Sequence, residues 1–320
     1  MTVRAEPILK IQQLDVSYHG TQILKDVTLD LNAGEILGIV GESGSGKSTL
    51  IKAIMGLLGD NGQIDHGKLE FDHVDLIRIK KNALRKLRGA RIGMVFQHPG
   101  MSFNPIRKIG VQFFEALNAH GTFDKDEARK RILKILGELR LTDGERILDS
   151  YPFELSGGMN QRVAIALAMV LNPEMLLADE PTSALDVTVQ AQVVRQMMDL
   201  RDNLGTTIIM VTHNMGVVSY MVDKIAVMYA GHLVEYGKKL DVMRNPQHPY
   251  TKALIAAIPQ LHGGDMVGIS GSPPVFGESY LGCPFAPRCP AARTECSQDQ
   301  KLERRYYEDD HWALCPYGCE

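Results

Sequence analysis

The chain is short of several things. Its 320 residues include one tryptophan, and aromatics make up 6%. No cysteine occurs in the first 282 residues; all five lie between Cys283 and Cys319. That excludes a disulfide framework through the bulk of the chain. No apolar run reaches the roughly 18 residues that a membrane-spanning helix needs, and "VAIALAMVL" stops at Asn172-Pro173. The opening "MTVRAEPILKIQQL" lacks the apolar core of a secretory signal. A cytosolic protein is expected, in which thiols stay reduced. Excess charge of one sign is missing too. The formal net charge is -3, so no general attraction to nucleic acid is built in. What remains is ordinary for a globular protein, with 44% apolar and 23% charged residues and enough length for more than one domain.

The most informative stretch is "EILGIVGESGSGKSTLIKAIMGLL". Ile36 to Val40 reads as a buried strand, and Leu50, Ile51, Ile54, Leu57 and Leu58 recur at helical spacing. Between them, Gly41-Glu-Ser43-Gly44-Ser45-Gly46-Lys47-Ser48 matches G-x-x-x-x-G-K-[ST] in the strand–loop–helix setting that motif requires. Glycines let the backbone curl so that successive N–H groups point at phosphate oxygens. The helix amino end adds positive potential. Lys47 is placed to reach the β- and γ-phosphates and Ser48 to ligate Mg²⁺, with Thr49 beside it.

A second strand, Met175 to Ala178, ends on Asp179 and Glu180 in "EMLLADEPTSALD". Asp179 suits the Mg²⁺ hydration shell and Glu180 suits polarising the attacking water. Paired acids at a strand end also occur as a plain solvated turn; the phosphate loop upstream favours the catalytic reading. "TTIIMVTHN" delivers His213 at a strand end, where it can contact the γ-phosphate. "RIGMVFQHP" delivers Gln97 after a strand from Ile92 to Phe96, in reach of metal or water. Seven basic residues between Arg78 and Arg91 have no interleaved aromatics, which favours a solvated helix face over a nucleic-acid contact.

"LSGGMNQR", Leu155 to Arg162, resembles the signature of ABC-type ATPases. With the phosphate loop, Gln97, the acidic strand, the "SALD" loop ending at Asp186, and His213 in order, the resemblance covers about residues 8 to 240. It implies an α/β fold: an ABC-type P-loop nucleotide-binding domain with a RecA-like core and antiparallel β subdomain (residues 1–97 and 173–240), a helical subdomain (98–172), and a small loop-rich C-terminal extension (241–320). It also implies that Tyr18 stacks on adenine. ATP would be trapped between one subunit's phosphate loop and the signature of a second ATPase subunit, contacted by Ser156, Gly157, Gly158 and Gln161. Asp186 would communicate across that interface. Asn160 and Asn214 depart from the usual family residues without removing a catalytic group. "DKDEARKRILKILGELRL" is helical by its spacing and falls in the part that would grip membrane subunits.

"NPQHPYTKALIAAIP", followed by "GCPFAPRC", resembles the extension of the peptide and nickel importer branch. Thr251 is a candidate cap for the helix there. Cys283, Cys289, Cys296 and Cys315 are spaced unlike most zinc sites, whose ligand pairs lie two to four residues apart. Prolines 284, 287 and 290 disfavour a regular helix between them. The resemblance implies a [4Fe–4S] cluster on those four, with Cys319 spare; zinc and free or crosslinked thiols are the alternatives. The implied partners are a different second cassette, two transmembrane permease subunits and an extracytoplasmic substrate-binding protein, with no nucleic acid. The implied place is the cytoplasmic face of the membrane, held peripherally. The expected function is the ATP-hydrolysing motor of a dipeptide or oligopeptide importer. Import of a nickel chelate or another small solute, a soluble ATPase acting on DNA or ribosomes, and an iron–sulfur sensor are the alternatives.

Overall fold

A computed structural model describes residues 6–183, 185–258, 268–274, 277–278, 280–299, 302–308 and 310–318. Cys319 lies outside them. In chain order the strands are β1 (Leu9–Tyr18), β2 (Thr21–Leu31), β3 (Ile36–Val40), β4 (Gly62–Phe71), β5 (Val74–Asp75), β6 (Ile92–Val95), β7 (Met175–Asp179), β8 (Thr207–Thr212), β9 (Lys224–Tyr229), β10 (His232–Lys238), β11 (Arg305–Glu308) and β12 (His311–Ala313). The chain divides into two compact units: the described residues of Met1–Arg78 with Val211–Glu320, and Ile79–Met210.

In the first unit β1 pairs antiparallel with β2 and β4, giving the order β2-β1-β4-β5. Leu9, Ile11, Leu14 and Val16 of β1 are all fully buried. β3 pairs parallel with β9, in register Val40↔Val227. Every residue of β3 and β9 is buried, which is why "ILGIV" and "KIAVMY" read as near-continuous apolar runs rather than alternating ones. Gly38 faces Val218 and Val222, where an added Cβ would stand 2.9 Å from a Val222 methyl. The absent side chain lets the helix Met215–Met221 pack against β3.

The extension is less irregular than its composition suggests. β11 and β12 form a hairpin, and β12 joins β10 antiparallel with Tyr236 opposite Trp312. One buried carboxylate fastens it. Glu235, fully buried, accepts from the backbone N–H groups of Gln247 and His248, each at 2.8 Å, and meets His311 Nε2 at 2.8 Å. His248 caps the helix Pro249–Ala256 through Nδ1, which accepts the Tyr250 N–H at 3.1 Å. This corrects the expected cap, Thr251. Pro249 fills the first helical position and lacks an N–H, so the cap falls one residue earlier, and Thr251 is buried within the helix. Burial pushes the His248 imidazole down to about 4 against a smaller opposing pull from Glu235.

The second unit carries the parallel pair β6–β7, β8 beside β7, and the helices Ile109–Asn118, Lys125–Glu138, Gly144–Asp149, Gly157–Met169 and Val187–Leu204. Asp124 caps Lys125–Glu138 by accepting from Asp126 and Glu127 N–H groups, and Ile132, Ile135 and Leu136 form its buried stripe. The basic helix Lys81–Leu87 buries nothing, as a solvated face should. Two expected boundaries shift. The helix after the phosphate loop stops at Met55 because Gly56 takes the left-handed C-cap conformation, leaving Leu57 37% exposed. β6 stops at Val95, leaving Phe96 43% exposed. Among the described residues no helix is long and apolar enough to cross a membrane.

Glu235→Leu removes the shared partner of the half-buried Gln247 N–H, the buried His248 N–H and the buried His311 imidazole. A buried donor left unpaired costs about 1–3 kcal/mol. The substitution is expected to lower the free energy of urea unfolding by roughly 3 kcal/mol or more.

Candidate functional site

In the first unit β3 delivers the chain to Gly41, whose φ is 153°. A Cβ there would stand 2.2 Å from the Met228 carbonyl oxygen and 2.8 Å from Ser45 Oγ. The loop is closed by Ser45 N–H donating to Glu42 O at 3.2 Å, and Gly231 N–H ties it to β9's outgoing turn by donating to Ser45 O at 3.1 Å. Gly46 caps the helix Lys47–Met55 with φ 100°, offering no side-chain acceptor, and the first turn holds no acid. The positive end of the helix dipole is therefore not neutralised by an acidic side chain and favours an anion at the loop. Lys47 is 6% exposed. Its ammonium donates to Gly41 O at 2.8 Å, Glu42 O at 2.7 Å and Ser45 Oγ at 3.3 Å, acceptors that phosphate oxygens can replace. Ser43 and Gly44 sit exposed at the loop tip, Ser48 and Thr49 half-buried on the first turn. Tyr18 is half-buried at the end of β1, where burial raises its hydroxyl pKa. His213 is exposed just beyond β8. Asn214 caps the next helix by accepting from Gly216 and Val217 N–H groups, a task asparagine performs as well as aspartate.

The second unit assembles an acid–amide pair. β6 and β7 run parallel with Val95 opposite Ala178. Gln97 and Glu180 each stand two residues further on, at matching strand ends. Gln97 Nε2 donates to Glu180 Oε2 at 3.1 Å. Asp179 is 6% exposed at the end of β7. Glu180 takes φ 44°, a left-handed conformation that costs a non-glycine residue energy and is characteristic of functional turns. The Ser183 N–H donates to its carbonyl at 3.2 Å.

The signature opens a helix as its sequence suggests. Ser156 caps Gly157–Met169 by accepting the Met159 N–H at 3.3 Å. At Gly158 a Cβ would lie 2.9 Å from a Val189 methyl, so glycine lets the helix approach Val187–Leu204. Asn160 donates through Nδ2 to Pro152 O at 2.9 Å and Leu155 O at 3.3 Å, pinning the turn before the signature. Gln161 is 2% exposed, and its side-chain nitrogen has no acceptor among the described residues. Asp186 caps Val187–Leu204 by accepting Thr188 and Val189 N–H groups at 3.0 Å.

Cys283, Cys289, Cys296 and Cys315 all line one cavity of about 30 Å³, closed by apolar groups such as Phe285 and Leu314. Burial pushes the Cys283 thiol up to about 11 and raises that of Cys289. Backbone N–H groups point at three of the sulfurs: Phe285 at Cys283, Ala291 at Cys289, and Arg293 at Cys296 with 3.5 Å. Among the described residues no three or more His, Cys, Asp or Glu side chains are placed to hold a single metal ion.

Two residues with no signal in the sequence also reach the phosphate loop, Tyr250 and Arg288, and Tyr229 packs beside them. Tyr250 Oη accepts the Glu42 N–H at 2.9 Å. Arg288 grips the Glu42 carboxylate, 246 positions away, through two nitrogens. Tyr229 stacks edge-on with Tyr250 at 4.6 Å and Phe285 at 5.2 Å.

The loop, the acid–amide pair and the capped signature define an ABC-type ATPase. The ABC transporter family model matches residues 24–183, and that of the oligopeptide/dipeptide transporter C-terminal region matches 234–296. The chain is similar to the oligopeptide transport ATP-binding protein OppD of Haemophilus influenzae, 42% identical over 92% of this chain and 93% of that protein. It is equally similar to the dipeptide transport ATP-binding protein DppD of Bacillus subtilis, 42% identical over 92% of this chain and 90% of that one. Among solved structures it resembles cbiO1 of Clostridium perfringens, with TM-score 0.66 and 31% identity, covering 75% of this chain and 92% of that one. It also resembles a dimeric ATP-binding cassette in a post-hydrolysis state with ADP and Pi, with TM-score 0.64 and 30% identity, covering 72% and 98%. The chain belongs to the ABC transporter ATP-binding family, in the branch marked by the oligopeptide/dipeptide transporter C-terminal region. ATP and Mg²⁺ are its cofactors.

Gly41→Ala places a methyl group against a backbone carbonyl. It is expected to raise the dissociation constant for MgATP by about tenfold or more, measured by calorimetry, because one such strained contact costs ~1–3 kcal/mol.

Proposed function

We propose that this chain is the ATP-hydrolysing motor of a dipeptide or oligopeptide importer. The observation that carries the reading is a complete ATPase cassette joined to the oligopeptide/dipeptide transporter C-terminal region, in a chain that aligns with OppD and DppD over nine-tenths of its length.

In this reading Tyr18 stacks on adenine, and the loop from Gly41 to Gly46 holds the phosphates with its N–H groups. Lys47 exchanges its loop acceptors for β- and γ-phosphate oxygens. Ser48 and Thr49 flank them; Ser48, Gln97 and Asp179 hold Mg²⁺ directly or through its water, and the ion neutralises charge developing on the phosphoryl group. Glu180 polarises the attacking water, oriented by the Gln97 amide, and His213 contacts the γ-phosphate. Ser156, Gly157, Gly158 and Gln161 complete the ATP site of a second cassette, and Asp186 communicates between the two. The unsatisfied Gln161 amide supports this, because a buried donor without an acceptor is rare. The expected division into core (1–97, 173–240), helical part (98–172) and extension (241–320) belongs to the same reading. It is supported by the run of helices from Ile109–Asn118 to Gly157–Met169. The partners are a second, different ATPase subunit, two permease subunits and an extracytoplasmic binding protein, with the motor held peripherally at the cytoplasmic face of the membrane.

The four cysteines fit an iron–sulfur centre. A tetrahedral zinc site with bonds of about 2.3 Å needs sulfurs roughly 3.8 Å apart. A [4Fe–4S] cluster gives each cysteine its own iron, so sulfurs can share a cavity without meeting at one point. The cysteines line one cavity, and the Arg293 N–H directed at the Cys296 sulfur at 3.5 Å is a hydrogen bond of the kind that tunes such clusters. Zinc is the alternative outcome.

Two measurements test the assignments of Glu180 and of the cysteine centre. In the assembled transporter, Glu180→Gln should retain MgATP binding and lose turnover by at least ~100-fold, as expected for a group assisting proton transfer; unchanged turnover would remove Glu180 from its role. Protein purified without oxygen should be brown, with about four irons and four sulfides per chain, and Cys289→Ser should lose them. A colourless, zinc-loaded protein sinks the cluster assignment.

A further inference from the structure

Glu42 is the second residue of the phosphate loop, and the C-terminal extension holds it at two points. The Tyr250 hydroxyl accepts its N–H at 2.9 Å. Arg288 forks onto its carboxylate, Nη1 to Oε2 at 2.6 Å and Nη2 to Oε1 at 3.0 Å. The Arg288 side chain is only 6% exposed. Its Nη1 also donates to Tyr229 Oη at 3.2 Å and its Nε to Ser270 O at 2.9 Å. The guanidinium lies 5.8 Å from the Tyr229 ring and 6.0 Å from the Phe285 ring. A bidentate pair of this kind fixes orientation as well as distance. It is unlike a surface ion pair, whose members hold each other loosely.

The backbone of Arg288 lies in the segment between two of the cavity-lining cysteines, Cys283 and Cys289. It closes the short turn Ala286–Arg288, donating its N–H to Phe285 O at 2.9 Å, and Cys289 follows, donating to Ala286 O at 3.3 Å. The Cys283 N–H donates to Cys296 O at 2.8 Å. Arg288 is thus carried by a span with a cavity-lining cysteine at each end. At the far end of the same side chain, Glu42 presents its carbonyl to the Lys47 ammonium. The path from cysteine centre to phosphate-binding lysine is one arginine and one glutamate long.

We propose that Arg288 is a positioning residue of the phosphate loop, and that through Glu42 it makes nucleotide affinity depend on the state of the four-cysteine centre. The proposal rests on the ATP and cluster readings above. With the cysteines ligated, both ends of the span are fixed and the fork holds Glu42. With the centre lost, the span relaxes, the fork loosens, and the loop must be ordered by the nucleotide itself, which weakens binding.

The test is calorimetric titration of MgATP into the full chain, with iron counted in each sample. Arg288→Met and Glu42→Gln should each raise the dissociation constant by roughly tenfold. The double variant should be no weaker than the weaker single, because both break one contact. Arg288→Lys, which cannot fork, should recover part of the loss. Glu42→Gln leaves the cysteine loop untouched and should keep its iron, so its loss of affinity is not unfolding of the extension. Cys289→Ser should lose iron and weaken binding in the wild-type background, with no further loss in the Glu42→Gln background. Singles that bind like wild type, losses that add, or an iron-free Cys289→Ser that binds normally each overturn the proposal. Lys47→Ala separates the two levels. If wild type binds, Lys47→Ala does not, and the Arg288 variants are unaffected, only this inference fails. If wild type does not bind MgATP, the ATPase reading fails with it.

Discussion

The phosphate loop is the constraint around which the first unit is arranged. Its use requires a backbone curled so that N–H groups converge on one point, a shape with few internal hydrogen bonds of its own. Gly41 at φ 153° against the Met228 carbonyl shows how little room the curl leaves. Such a loop has to be held from outside. β3 fixes its entry through a fully buried strand, and the helix Lys47–Met55 fixes its exit with Leu50, Ile51 and Ile54 buried. Gly231 donates to the Ser45 carbonyl from the β9–β10 turn. The remaining support, at Glu42, comes from the extension.

That support explains how a tail poor in apolar residues earns a fixed place. Its anchors are few and mixed in kind. Tyr229 of β9, Tyr250 and Phe285 form one aromatic junction with centroids 4.6 to 5.3 Å apart. Glu235 supplies a buried acceptor to three donors. β12 adds backbone pairing along β10, with Trp312 beside Tyr236 at 6.1 Å. Phe285 anchors the segment from Cys283 to Cys296 at one point, but residues 290–295 beyond it are exposed, with chain turns following one another. A centre that ties four thiolates together stabilises such a segment where apolar burial cannot.

Much of this was legible in sequence because the signals are local. Strand, glycine loop and helix lie within twenty residues, so β3, Gly41, Lys47 and the buried stripe of the first helix could be read directly. The pairing of Gln97 with Glu180 was less direct. Each was recognisable from its strand end, but their hydrogen bond follows from the parallel register of Val95 with Ala178, which no single segment encodes. The sequence points to Thr251 rather than His248 as the helix cap because serine and threonine are commoner caps than histidine. The hairpin of β11 and β12 was missed although "RRYYEDDHWA" carries acidic turn residues between aromatic runs. Arg288 left no trace, since "APRC" reads as cysteine-loop punctuation and its partner is 246 positions away.

The arrangement separates two things that a sequence motif merges. The groups proposed to act on ATP lie between Tyr18 and His213, ahead of the region matched by the oligopeptide/dipeptide transporter C-terminal model, residues 234–296. The contacts that hold Glu42 come from Tyr250 and Arg288, within the region shared with peptide transporters. In the proposed reading, chemistry is carried by the common part and the positioning of the phosphate loop by the branch-specific part. A buried fork suits that division. Its two parallel hydrogen bonds fix orientation as well as distance, so in the coupling proposed above a movement of the cysteine loop would reach the phosphate loop as a loss of that contact.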